Sequence, residues 1–261
     1  MKPATEEFLY LLLWTADSLL RPSWRDVLDP DSFEAWAYRQ GLGRRLGELE
    51  RLKLIEAKAP KGGEERLVRL TEAGREAALA GVDPVRHWER TWDGRWRLVM
   101  FDVPQTKTSA RVSLRRSLRN RRFGYLQNSV WLSPDPLDEI RRQVAGTSTN
   151  VEGLVLFEGR PGGGESDQDL VMGAWDFPDI FERYKMWNRI ADAAPKPRSA
   201  SARTAAVIRT WGGRERSAWR DIVEKDPFLP APLLPAGYPG RTAWARRIRL
   251  LTSLGHALLN G

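Results

Sequence analysis

Apolar residues recur at three- and four-residue spacing from the start of the chain: Phe8, Leu9, Leu12, Leu13, Ala16, Leu19 and Leu20. That period predicts a helix with one broad buried face. Glu6 and Glu7 suit its first turn, where the backbone dipole favours negative charge, and Pro22 stops it. Ser23 is placed to cap a second, short helix through Asp26, with Trp24 and Val27 turned inward. A third periodic stretch carries Leu42, Leu46, Leu49 and Leu52 on one side, while Arg39, Arg44, Arg45 and Arg51 fall mostly on the other. Residues 54–59 and 66–70 then read as strands around a Pro60-Lys61-Gly62-Gly63 turn. Helices followed by a β-hairpin describe a winged helix-turn-helix over residues 1–82. The run Leu70-Thr71-Glu72-Ala73-Gly74 then starts a further helix with Thr71 as its cap.

The pattern changes after residue 82. Residues 96–103 are almost continuously apolar, as a central strand covered by other elements requires. Pro104 ends it, and Ala110, Leu114 and Leu118 give the next stretch, 106–122, a helical period. Strands at 125–127 and 129–133, a helix at 137–144 and a strand at 151–157 complete the order β-α-β-β-α-β over 83–160, which is ferredoxin-like. The run from Gly159 to Gly164 lacks the Gly-Lys-Ser/Thr ending of a phosphate loop and reads as a linker.

Residues 161–261 read as a mainly helical third domain. A helix begins near Pro178 with Ile180, Tyr184 and Trp187 on one stripe, and 191–205 reads as a loop. Helical stretches follow at 206–210, 214–224 and 242–259. Between the last two lie Pro227, Pro230, Pro232, Pro235 and Pro239, which enforce an extended strap. The fold class expected is α+β: a winged helix-turn-helix, a ferredoxin-like βαββαβ middle and a helical C-terminal domain.

Composition narrows the chemistry. The 261 residues include no cysteine, which excludes disulfides, thiolate nucleophiles and Cys-containing zinc fingers. The longest apolar stretch, Phe8 to Trp14, falls well short of the ~20 residues of a membrane span. It follows two acids rather than a basic leader, so a cytoplasmic protein without membrane contact is expected. The net charge is +8, which favours a polyanionic partner. Its distribution is uneven: −1 over 1–82, +5 over 83–160 and +4 over 161–261.

A helix that reads DNA needs basic or amide side chains in its N-terminal half, within reach of base edges and phosphates. Arg39, Gln40, Arg44 and Arg45 meet that need, with Lys58 and Lys61 flanking the hairpin tip as phosphate contacts. The alternative for the four helical positions is an ordinary solvated face. His87 and His256 have no Gly-x-Ser-x-Gly partner, so nucleophilic catalysis is not expected.

Three pieces of the chain coincide: the winged helix; Gly94-Arg95-Trp96-Arg97-Leu98-Val99-Met100-Phe101-Asp102-Val103-Pro104 continuing to Phe123-Gly124-Tyr125-Leu126-Gln127-Asn128-Ser129-Val130-Trp131-Leu132-Ser133-Pro134; and the strap from Asp226 to Gly240. Together they resemble the PaaX family of bacterial transcriptional repressors over essentially the whole chain. The resemblance implies control of aromatic-acid catabolism, typically of phenylacetate. It also implies double-stranded operator DNA as partner, an acyl-coenzyme A inducer such as phenylacetyl-coenzyme A, a homodimer, no cofactor and no enzymatic activity. The middle domain is similar to the small CRISPR adaptation nuclease. Asp102 stands where those nucleases carry a metal-binding aspartate, so the alternative is a Mg²⁺-dependent nuclease. No second acid is near it in sequence, and Asp102 serves equally as a helix cap.

Arg111, Arg115, Arg119 and Arg122 recur every three or four residues with Arg116 and Arg121 beside them, and no acid occurs between 103 and 134 to pair with them. Such a stripe suits phosphates of DNA flanking an operator, phosphates of coenzyme A, or acids of another domain. Trp175, Tyr184 and Trp187, with Arg183 and Lys185 adjacent, are candidates for an aromatic acyl pocket or for core.

Overall fold

A computed structural model describes residues 41–58, 67–78, 82–101, 108–127, 130–136, 138, 155–196 and 201–259. The first two helices expected from the sequence, the hairpin tip and the body of the 137–144 helix lie outside them. The described chain is mixed α/β and divides into two compact units that interleave along the sequence. The first takes the described residues up to Asp83 with Tyr184–Arg220 and the chain from Gly240 onward, and the second takes Pro84–Arg183 with Asp221–Pro239.

In the first unit, α1 (Leu42–Arg51) leads to a two-stranded antiparallel hairpin, β1 (Ile55–Lys58) and β2 (Leu67–Leu70), in which Ile55 faces Leu70 and Lys58 faces Leu67. Then comes α2 (Glu72–Ala78). Leu49, Ile55, Leu70 and Ala78 are buried. The end of α1 is closed by Lys53 at φ 57°. There the Leu54 amide donates to the Leu49 carbonyl at 2.9 Å and the Lys53 amide to that of Glu50 at 2.9 Å, the two bonds of a Schellman motif. Thr71 caps α2 as expected, its hydroxyl oxygen accepting from the Gly74 amide at 3.0 Å. Gly74 is required by close approach: a Cβ there would stand 1.8 Å from the Leu54 carbonyl oxygen.

The same unit contains most of α6 (Phe177–Asp192), most of α7 (Ala202–Lys225) and all of α8 (Gly240–Leu259). Trp219 is the hub. Its ring centroid lies 5.4 Å from that of Trp187, 5.5 Å from Trp244 and 6.2 Å from Tyr184. The Arg247 guanidinium stacks over it at 4.6 Å. Glu215, wholly buried, accepts from Arg247 Nε at 2.7 Å and from the Trp187 indole at 2.8 Å. Two charge-assisted hydrogen bonds between Arg247 and Glu215 offset part of the desolvation of a charge pair so far from water.

The gap left between the helical stretches expected at 206–210 and 214–224, which holds Gly212 and Gly213, is not a break: α7 runs unbroken over 24 residues. Each glycine costs about 1 kcal/mol relative to alanine. Burial of Ile208, Trp211, Glu215 and Trp219 at three- and four-residue spacing outweighs that cost. The loop expected over 191–205 is correspondingly shorter, since α6 extends to Asp192 and α7 starts at Ala202.

The second unit is built on a four-stranded antiparallel sheet of β3 (Trp96–Met100), β4 (Gly124–Gln127), β5 (Val130–Ser133) and β6 (Val155–Gly159), in the order β4-β5-β3-β6. The first strand thus lies between the third and fourth, with every neighbouring pair antiparallel. Val99, Phe101, Trp131 and Phe123 pack with Leu114 and Leu118 of α4 (Thr108–Asn120) to form its core. The last strand, expected over 151–157, is described from Val155 and takes in Gly159, so the glycine run begins inside the sheet.

Two helices were absent from the sequence expectations, α3 (Pro84–Glu89) and α5 (Asp167–Ala174). Ser166 and Asp169 form a reciprocal capping box at the start of α5. This helix lies against β4 so closely that a Cβ on Gly124 would come within 2.6 Å of the Ala174 Cβ. α3 adds Trp88 to an aromatic set with Phe228 and Tyr238, at 5.9 and 6.1 Å. The strap carries a single 3-10 turn, Ala231–Leu233. It is tied down at Asp226, whose carboxylate accepts from the Phe228 amide at 2.8 Å and from the Tyr238 hydroxyl at 2.6 Å.

Two arginine-lined clefts as the candidate functional sites

The residues expected to meet DNA are described only in part. Arg39, Gln40 and Lys61 lie outside the described residues. Arg44 and Arg45 lie next to each other on α1, Arg44 exposed and Arg45 half-buried, and Lys58 is the last residue of β1. Asp102 also lies outside the described residues. Among the described ones, no group of three His, Asp or Glu is placed to hold a metal ion, and no helix is long and apolar enough to cross a membrane.

The arginine stripe runs along α4 and borders a cleft of about 530 Å³ in the second unit. Arg115, Arg116 and Arg119 line it, over a floor that includes Phe123, Tyr125, Trp131 and Trp175. The Arg119 guanidinium sits 5.8 Å from the Trp131 ring centroid. Asp176, Asp179 and Glu224 line the same cleft, so acids from the third segment supply the negative charge that residues 103–134 lack. Asp179 is also bonded to Arg183 at 2.8 Å, a contact that holds the guanidinium's pKa above its ordinary value.

Arg122 has a different task from the rest of the stripe. It stands at φ 67° just past the end of α4. The Phe123 amide donates to the Leu118 carbonyl at 3.1 Å and the Arg122 amide to that of Arg119 at 2.9 Å, a second Schellman closure with a cation where glycine is usual. The left-handed conformation costs a residue with a Cβ roughly 1 kcal/mol. What it achieves is direction: the guanidinium donates to the carbonyls of Val223 at 2.6 Å and Asp226 at 2.5 Å and stacks over Phe228 at 5.0 Å. Arg122 thereby fastens the strap. Arg111 belongs to the same helix.

A second arginine cluster of this unit, on β3, is fully matched. Arg97, 3% exposed, pairs with Asp93 and with Glu158. Arg97 holds the Asp93 carboxyl below the usual carboxylate range, and a 2.7 Å hydrogen bond from Arg95 does the same for Glu158.

The cleft of the first unit, about 610 Å³, lies between α6 and α7 and was not anticipated. Its cations are Arg189, Arg203 and Arg214, all exposed, and no acid lines it. Asp192, the nearest acid on α6, is held by Arg246, which also donates to Asn188 at 2.8 Å. The floor is apolar and includes Ile190, Val207 and Trp211, and the Trp211 indole donates to the Ile190 carbonyl at 2.9 Å, pinning one helix to the other.

The residues considered for an acyl pocket are divided between the two units. Tyr184 and Trp187 are wholly buried around Trp219, and Trp175 belongs to the other unit, its indole donating to the Arg122 carbonyl at 3.2 Å. His87, on α3, stacks edge-on with Phe228 at 6.2 Å.

Two family models match this chain. The PaaX protein central Cas2-like domain matches residues 89–171, and the PaaX-like protein C-terminal domain matches residues 175–257. Among solved structures, an uncharacterized protein from Mycobacterium tuberculosis is 21% identical, with a TM-score of 0.59 over 96% of this chain and 95% of that one, a likeness of fold. No curated protein matches.

Proposed function

The chain belongs to the PaaX family, and from that premise we propose that it is a DNA-binding transcriptional repressor of aromatic-acid catabolic genes, of the phenylacetate type, released from its operator by an acyl-coenzyme A inducer. The observation that carries this reading is the pair of family matches, which together run from residue 89 to 257. The order helix, antiparallel hairpin, helix through α1, β1, β2 and α2 supports it at the N-terminal end. In this reading 1–82 form a winged helix-turn-helix, 83–160 a ferredoxin-like domain and 161–261 a helical effector and dimerisation domain, and the protein works as a cytoplasmic homodimer.

Arg39, Gln40, Arg44 and Arg45 take the base-reading role, because guanidinium forked onto guanine and amide onto adenine are the commonest sequence-specific contacts. Lys58 and Lys61 take phosphates beside the wing. For the stripe of Arg111, Arg115, Arg119 and Arg122 we favour internal charge balance over phosphate binding. Asp176, Asp179 and Glu224 share its cleft and Arg122 is bonded to the strap. A homodimer with one recognition helix per half-site couples inducer to DNA if inducer binding favours a spacing the operator does not match.

The test is fluorescence anisotropy on a palindromic duplex from the regulated promoter and on a random duplex of the same length, at fixed salt. Phenylacetyl-coenzyme A is expected to release the palindrome, and persistent binding at saturating thioester overturns induction. Arg44→Ala with Arg45→Ala is expected to cost the palindrome about 1–3 kcal/mol more than the random duplex, the range for base-edge contacts. Equal losses on both duplexes sink the base-reading role.

A further inference from the structure

The cleft between α6 and α7 combines features that the other cleft of comparable size does not. Arg203, Val207, Trp211 and Arg214 follow one another along α7 at intervals of four, four and three residues, so they share a face of that helix. Eleven residues of helix separate the two arginines, a span of about 16 Å at 1.5 Å per residue. Between the charged ends the surface is apolar, and Val207 is 52% exposed although it lines a concavity. Arg189 contributes a third cation from α6.

Charge and shape together select the occupant. Among the described residues, Arg189, Arg203 and Arg214 make no ion pair, and the cleft is lined by no carboxylate that would repel an anion. Three cations at separated points suit a ligand with several negative groups, since guanidinium binds phosphate through strong, forked hydrogen bonds. An apolar floor between them suits a ligand whose middle or end is uncharged. A volume of about 610 Å³ falls within the range of small-molecule sites. Duplex DNA, a broad convex polyanion, has no use for a narrow apolar floor.

We propose that this cleft binds an elongated amphipathic polyanion, a coenzyme A thioester, with its phosphates on the arginines and its acyl arm over Val207 and Trp211. The proposal rests on the inducer reading above and gives that inducer a site. Trp211 then has two roles: its indole fixes the distance between the two helices through the Ile190 carbonyl, and its edge forms part of the floor.

The experiment is calorimetric titration of the full-length protein with phenylacetyl-coenzyme A and with free coenzyme A, in wild type, in Arg203→Glu with Arg214→Glu, and in Val207→Trp. The double reversal is expected to weaken both probes at least tenfold. Val207→Trp fills the floor and keeps the cations, so it is expected to bring the thioester down to the affinity of free coenzyme A. Operator affinity without ligand is expected to be unchanged in both variants, which also shows that they fold. Wild-type thioester affinity in both variants overturns the site and leaves the inducer reading standing. A loss of operator affinity in the double reversal, with thioester affinity intact, overturns the site in favour of DNA contact. A wild-type protein that takes up neither probe overturns the inducer reading and the site together.

Discussion

The second unit places four arginines and the first three around clefts of similar volume over aromatic or aliphatic floors, and what separates the two clefts is where the negative charge comes from. In the second unit it comes from the chain itself, as Asp176, Asp179 and Glu224. In the first the cleft is lined by no acid, and the unit's wholly buried carboxylate, Glu215, is committed to Arg247 and Trp187 within the core. The lesson is that arginine density along the sequence is a poor guide to anion sites. The dense stripe on α4 is balanced by its own fold, while the sparse trio on α6 and α7 is not.

The contrast breaks most readily at Glu215. If the walls of the open cleft depend on the buried charge pair behind them, Glu215→Ala leaves the Arg247 guanidinium buried without its partner. It is expected to cost about 3–5 kcal/mol in denaturant unfolding. A loss under about 1 kcal/mol would show that the pair is solvated and that the two units are not held differently. Next comes Arg122, the arginine of the balanced cleft that acts on the strap. Arg122→Ala is expected to cost about 1–3 kcal/mol, the range for stranding buried carbonyls. Arg122→Gly is expected to cost about 1 kcal/mol less, because glycine accepts the left-handed backbone freely. If both variants cost the same, the φ of 67° carries no strain.

The stripe offers a smaller effect. Arg115→Gln with Arg119→Gln is expected to leave the slope of log K against log salt for DNA binding unchanged and to shift stability by no more than about 1 kcal/mol. A slope reduced by about 0.9 per phosphate contact would return these residues to DNA and undo the contrast. Gly213→Ala is expected to raise stability by up to about 1 kcal/mol, since an added Cβ meets nothing within 4 Å and helix propensity improves. Acid titration probes the matched cluster on β3. Asp93 and Glu158 have pKa values lowered in the folded state. Their contribution is therefore present above the unfolded carboxylate pKa and is lost as pH falls below about 4. Thermal melts should show that loss, and Asp93→Asn should flatten it.

The parts of the fold that follow from periodicity are those the sequence displays. The apolar run from Trp96 reads as the central strand because it is covered on its faces, and the leucines of α1 and the cap at Thr71 announce their elements directly. Three features do not show. Lys53 and Arg122 close their helices in the left-handed region, where the usual signal is glycine, so neither terminus is marked. α7 crosses the gap left between the stretches expected at 206–210 and 214–224, because the burial that carries it through comes from tertiary packing. The open cleft is set by Arg189, Arg203 and Arg214, which are far apart in the chain and meet only when α6 and α7 pack. The Ser166 and Asp169 pair was a readable signal for α5, masked by the glycines before it.

The cluster around Trp219 has an optical consequence. Indole rings with centroids 5.4 and 5.5 Å apart are close enough for their electronic transitions to couple, and the fixed angles between the rings, 69° and 34°, give that coupling a sign. The near-ultraviolet circular dichroism of this protein should therefore carry a contribution from the middle of the helical core, beside that of the Trp92, Trp96 and Trp175 rings of the second unit. Loosened side-chain packing would erase that contribution while the far-ultraviolet helix signal remained. The protein thus carries an intrinsic, label-free gauge of the packing behind the open cleft.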